Sequence, residues 1–146
     1  MRNMAKPLYR IASVLFLLFA AGHTAGFLTF RPKTADAIAV QEGMSRVQFD
    51  FGGASVTWNG FYTGFGLFVS AYLVFSAFFA WRLSTAKPDE AALARTLAWM
   101  LFAVQLVNIG LCLYYFGPVQ AIFATACAAA LGWAVLQTRP QTARTP

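Results

Sequence analysis

The chain has 146 residues, 59% of them hydrophobic, 16% aromatic and only 11% charged, with a mean hydropathy of +0.59. Those values exclude an ordinary soluble domain. A net charge of +6 and a pI near 9.8 raise nucleic acid as a partner, but the basic residues form no patch interleaved with aromatics and flank apolar runs instead, so no nucleic acid is expected.

Four apolar stretches, 8–30, 61–81, 91–116 and 118–136, fill most of the chain, and about 20 residues of helix cross the hydrocarbon of a bilayer. They predict an all-α membrane protein, a four-helix transmembrane bundle forming a single domain over 1–146. The first stretch follows Arg2, Lys6 and Arg10 and has small residues around Ala21 to Ala25, which also fits a cleaved signal peptide. Apolar sequence continues through Gly26, Phe27, Leu28 and Phe30, past any such site. Retention as an anchor is therefore the expectation. Gly22 and Gly26 form a GxxxG pair, the spacing that lets helix backbones approach closely in lipid.

The connection 31–59 is the one substantial soluble piece. Thr34 to Arg46 is Ala-rich with Ile38, Met44 and Val47 among polar residues, which predicts a short interfacial helix. Val47, Phe49 and Phe51 then alternate with Gln48 and Asp50, Gly52-Gly53 offers a turn, and Val56 and Trp58 resume the alternation. A small β-hairpin is predicted, packed on helix ends because a lone hairpin is marginal.

The second span opens with another glycine pair, Gly60 and Gly64, and Asn59, Thr63, Gly66 and Ser70 form a small or polar stripe at helical spacing. The connection Ser84 to Glu90 carries a helix start signal, with Pro88 in the first turn and Asp89 and Glu90 at the positive end of the dipole. In the third span Gln105 and Asn108 share a face with Leu101, Cys112 and Tyr115. Gly117-Pro118 breaks the chain and forces the last two spans into an antiparallel hairpin. In the fourth span Ala124, Ala128 and Gly132 repeat the small-residue spacing. The tail 137–146 is polar, bears proline and is expected to be disordered. Cys112 and Cys127 lie inside spans and read as small packing residues without a disulfide. Trp58, Trp81, Tyr114 and Tyr115 stand near span ends, where amphipathic rings favour the headgroup level.

Orientation follows from charge. Arg2, Lys6, Arg10, Arg82, Lys87, Arg95, Arg139 and Arg144 stand on one side of the expected topology, eight of the eleven Lys and Arg, and Arg31, Lys33 and Arg46 on the other. The positive-inside rule places both termini in the cytoplasm and 31–59 outside.

Any chemistry must use polar residues within the spans. His23, Tyr62, Gln105 and Asn108 all fall in the outer half of the expected bundle, with Thr24, Thr63, Gln120 and Thr125 nearby. Polar groups in lipid are costly and face one another or a water-filled cavity. Two readings follow: hydrogen-bonded glue between helices, or an outward-facing cavity for a small molecule or lipid headgroup. His23 is the only histidine, so paired haem ligation within the chain is not available, and no His, Cys and carboxylate cluster exists for zinc or iron. No metal and no cofactor are expected.

The runs YRIASVLFLLFAAGHTAGF, MSRVQFDF, WNGFYTGFGLFV and AWRL resemble a family of small bacterial four-helix membrane proteins to which no activity is assigned. The resemblance covers about the first 85 residues and continues through the last two helices mainly by hydropathy. It implies a multi-pass protein of the bacterial inner membrane. The family pattern often carries an acidic residue after the tryptophan, where this chain has Asn59, so proton transfer at that position is not implied.

Small four-helix membrane enzymes, such as the glutathione-using eicosanoid enzymes, resemble the chain in length and span number. They need charged residues in their spans to hold an anionic cosubstrate, and here the deep positions carry none except His23. An ion or proton transporter would need intramembrane carboxylates. A claudin-like adhesion protein would carry paired loop cysteines. The expectation is a non-enzymatic assembly subunit or a small-ligand or lipid-binding bundle, with membrane lipids, another membrane protein or a second copy of the chain as partner. The alternative is a small membrane enzyme or transporter using the polar cavity around His23 and Asn108.

Overall fold

The structure is a computed structural model and describes residues 4–138. In chain order it contains α1 (Ala5–Thr29), α2 (Ala35–Arg46), β1 (Gln48–Phe51), β2 (Ala54–Thr57), α3 (Trp58–Ser84), α4 (Ala91–Leu111) and α5 (Pro118–Gln137). A 3-10 turn, Pro88–Glu90, leads into α4, and a π-helical turn, Cys112–Phe116, continues it. Among the described residues, four helices are long and apolar enough to cross a membrane: Ala5–Thr29, Trp58–Ser84, Pro88–Phe116 and Pro118–Gln137. Length and hydropathy together make this a helical, multi-pass membrane protein. Of the tail expected to be disordered, Gln137 closes α5 and Thr138 caps it, its hydroxyl bonded to the Ala134 carbonyl, and the residues from 139 lie outside the described ones.

Local chemistry sets the element ends. Thr34 caps α2, its Oγ1 accepting the Ala37 N–H at 3.3 Å, while Asp36 and Arg46 complement the dipole at the two ends. Gly52 and Gly53 have φ of 61° and 84° and join two antiparallel strands in the register Phe51↔Ala54. A two-residue turn with both φ positive is the type that matches strand twist, and it favours glycine. Gly117 stands at φ 95° and Pro118 follows at the first position of α5, so the backbone reverses at a residue without a Cβ and restarts at one with a preset φ.

The described chain divides into two compact units, one of residues up to Phe19 together with those from Leu73 onward, the other Ala20–Tyr72. In the first, each helix buries a stripe with alternating three- and four-residue spacing: Ala5, Tyr9, Ala12, Phe16 and Phe19 on α1, Leu73, Ala77, Ala80 and Ser84 on α3, Ala94, Ala98, Leu101 and Gln105 on α4, and Ala121, Ala124, Ala128, Leu131 and Val135 on α5. That spacing keeps one helical face toward its neighbours. The stripe is rich in alanine because, in lipid, close backbone approach replaces burial from water as the source of association. Larger apolar residues such as Phe75, Phe78, Leu113 and Ile122 lie on the exposed faces. Cys112 and Cys127 are buried free thiols.

In the second unit burial is slight. Ala20 is the one buried residue there among those described. The apolar side of the hairpin, Phe49 and Phe51 paired with Val56 and Ala54, meets the start of α3 through rings. Phe49 stacks on Trp58 at 4.3 Å, and Phe49 and Phe51 both meet Phe61 edge-on, at 5.7 and 5.2 Å. Phe61 in turn meets Phe65 at 4.8 Å.

One packing expectation, that of the glycine pairs, is corrected. A Cβ added at Gly22, Gly26 or Gly64 would meet nothing within 4 Å, so these glycines are not at close helix contacts. At Gly60 it would meet only the Thr57 hydroxyl, which accepts the Gly60 N–H. The close approaches are at Gly66, where a Cβ would come 2.8 Å from the Phe27 ring, and at Gly132, where it would come 2.9 Å from the Phe102 ring. A neighbour's ring, and not the four-residue spacing, decides which glycine is needed. Of the residues read as sharing one face of α4, Leu101, Gln105 and Cys112 are buried, Asn108 is half-buried, and Tyr115, also read as a span-end ring, is 68% exposed. The π turn widens the helix after Cys112 and rotates Tyr115 off the stripe.

Candidate functional site

Within the unit 20–72, His23 is half-buried on α1, and its Nε2 lies 3.1 Å from the Gly66 carbonyl on α3. A carbonyl only accepts, so Nε2 carries the proton and donates. The imidazole leans on Phe27 at 5.3 Å, one helical turn on. Phe27 is also the ring lying against Gly66, so His23 and Phe27 together clasp one stretch of α3 backbone that only a residue without a side chain opens to them. Beside this clasp, Thr24 Oγ1 lies 2.8 Å from the Ala20 carbonyl and 2.7 Å from Ser70 Oγ. Tyr62, on the opening turns of α3, is 55% exposed and makes no described contact with His23.

Gln105 and Asn108 lie in the other unit, on α4. Gln105 is fully buried, and its Oε1 accepts from Asn108 Nδ2 at 3.4 Å, while the Asn108 Oδ1 faces the Cys112 thiol at 3.8 Å. These are long, weak hydrogen bonds within one helix. His23 thus bonds to backbone, Gln105 and Asn108 bond to each other, and Tyr62 joins neither. Among the described residues no group of three His, Cys, Asp or Glu is placed to hold a metal ion.

A cavity of about 210 Å³ lies elsewhere, at the helix ends of the first unit. It is lined by Lys6 and Tyr9 from the first turns of α1, Ser84 from the end of α3, Lys87 before α4, and Thr138 just past α5. None of His23, Tyr62, Gln105 or Asn108 lines it. The Thr138 hydroxyl donates to the Ala134 carbonyl at 2.9 Å, so the Tyr9 hydroxyl, 3.1 Å away, is the donor between them. Ser84 likewise donates to the Trp81 carbonyl at 2.7 Å. The hydroxyls are committed to the helix framework, and the two ammonium groups have no hydrogen-bond partner among the described residues.

Sequence reasoning passed over these residues because Lys6 and Lys87 serve equally well as topology signals. Tyr9 and Thr138 are 129 positions apart, a pairing no local pattern reveals. The i, i+3 spacing of Lys6 and Tyr9, which puts both on one helical face, was the available hint. Comparison of the chain with protein-family models, with curated proteins and with solved structures finds no match.

Proposed function

We propose that the chain is a protein of the bacterial inner membrane, with both termini in the cytoplasm, that works by binding, either as an assembly subunit or as a lipid-binding bundle, and not by catalysis. The observation that carries this reading is the use made of the polar groups inside the spans. His23, Thr24, Ser70, Gln105 and Asn108 are occupied with backbone carbonyls or with one another, which is how helices in lipid satisfy polar side chains that serve as glue. The large side chains exposed on the same helices, Phe68, Phe75, Phe78 and Ile122 among them, are left for acyl chains or for a partner's helices.

Affinity purification in a mild detergent, with identification of both proteins and lipids that remain bound, tests it. A defined lipid or a membrane protein should be enriched over an unrelated four-span control. A bare monomer carrying neither would overturn the reading. Orientation has its own check: reporter fusions at Lys87 and at the C-terminus should behave as cytoplasmic and one at Gly53 as exported, and the inverse pattern would reject it.

A further inference from the structure

The cavity at the helix ends has a chemistry of its own. Two lysines line it and no carboxylate does. Of the two acids on the adjoining turn, Asp89 and Glu90, neither lines the cavity, and Glu90 is engaged on both oxygens: Oε2 accepts the Lys87 backbone N–H at 3.0 Å and Oε1 lies 3.5 Å from the Arg82 guanidinium. Among the described residues neither lysine has an ion-pair partner within 4 Å. A third cation, Arg95, follows the lining residue Ala94 on α4, and its Nε is buried without a hydrogen-bond partner among the described residues. Among the described residues the lining carries positive charge with no carboxylate beside it, so the complementary ligand is an anion.

Size and place narrow the class. Sites for drug-sized molecules start at about 300 Å³, so a cavity of about 210 Å³ takes a headgroup-sized fragment and leaves any remainder outside. Its apolar lining is Leu83, Ala91 and Ala94, of which Leu83 and Ala94 are buried between helices. The lining comes from the first turns of α1 and α4, the last turn of α3, the connection Ala86 to Pro88 between α3 and α4, and the residue after α5. Those are the helix ends at which headgroup phosphates stand. Basic pockets between transmembrane helices at this level recognise anionic headgroups.

We infer that this cavity is a phosphate site, filled in the membrane by the headgroup of an anionic phospholipid, with Lys6 and Lys87 as its charged donors. The inference rests on the binding reading above and gives it a ligand class and an address.

The test uses the full-length protein in neutral detergent and measures affinity for phosphatidylglycerol, for zwitterionic phosphatidylcholine and for inorganic phosphate alone. The double variant Lys6→Ala/Lys87→Ala is compared with Lys33→Ala, which keeps the cavity intact. Both cavity lysines are exposed, and equal thermal unfolding without lipid verifies that the double variant is folded. Phosphatidylglycerol affinity should fall about fivefold per lysine, about 25-fold in the double variant. It should stay unchanged in Lys33→Ala, with phosphatidylcholine weaker than phosphatidylglycerol only in proteins that keep both lysines. Competition by inorganic phosphate that the double variant loses would support the phosphate chemistry and make a solute a second source of it. A double variant that binds phosphatidylglycerol as the parent does overturns the site while leaving lipid binding elsewhere intact. A parent protein that retains neither lipid nor partner protein overturns the binding reading itself.

Discussion

The residues up to Phe19 and from Leu73 onward hold together through buried small side chains at three- and four-residue spacing, whereas Ala20–Tyr72 hold together through a few polar bonds and a chain of rings. The two units share the continuous helices α1 and α3, so the difference lies in side chains and not in helix type. In lipid a helix pair gains little from hiding leucine, because acyl chains solvate it equally well. Close contact between backbones, or a hydrogen bond that would otherwise go unmade, has to supply the attraction. The first unit uses alanine to get the contact. The second uses His23, Phe27 and Gly66 to do the same at a single place.

The largest separation between the units should come from emptying their aromatic positions. Phe16 is fully buried in the first unit and Phe68 is 74% exposed in the second. Phenylalanine to alanine in water-soluble cores costs about 3 to 5 kcal/mol, part of it a transfer term that disappears when the unfolded reference also sits in lipid. Phe16→Ala should therefore cost about 3 kcal/mol in a detergent unfolding titration, and Phe68→Ala within about 0.5 kcal/mol of nothing. Equal losses would mean that the ring-covered face of 20–72 is as tightly held as the alanine core.

Next in size is the glycine contrast. Gly132→Leu drives a side chain into the Phe102 ring and should cost about 1 to 3 kcal/mol, the usual range for overpacking, while Gly26→Leu enters open space and should leave thermal stability in detergent unchanged. If Gly26→Leu destabilises the purified protein as much as Gly132→Leu does, another chain covers that face and the comparison must be redrawn with a partner in it.

These contrasts mark what was legible in the sequence. Four helices long and apolar enough to span a membrane could be read directly, because length and hydropathy are properties of the run itself. Their inward faces could be read only in part. Ala124, Ala128 and Gly132 on α5 and Leu101, Gln105 and Cys112 at the end of α4 are buried or closely approached, whereas the inward stripes of α1 and α3 could not be read. A leucine or phenylalanine on a lipid-solvated helix carries no sign of direction, and the buried stripe turns out to be Ala12, Ala77, Ala98 and Ala124 and their neighbours. Gly26 and Gly132 have similar local surroundings in sequence, and only Phe102 across from Gly132 tells them apart. The π turn that turns Tyr115 outward leaves no trace in a period of 3.6 residues. For the candidate sites the limit was distance along the chain: His23 with Gly66, and Tyr9 with Thr138, are pairs made by the fold.

The smallest expected effect tests the polar half of the comparison. Ser70→Ala removes the hydroxyl that faces Thr24 at 2.7 Å. Interhelical hydrogen bonds in membrane proteins contribute about 0.6 kcal/mol on average, because a chain unfolded within the bilayer finds other partners for the same groups. A global loss of about that size is expected, but it should not be evenly spread. The second unit buries so little that each bond is a larger share of what orders it, and regions with few buried contacts open locally before the whole molecule does. Amide exchange in Ser70→Ala should therefore speed up within 20–72 and stay at parent rates around Ala98 and Leu131. Faster exchange throughout both units would show that the hydroxyl pair supports the alanine core as well, and that the two regions are not held by separate means.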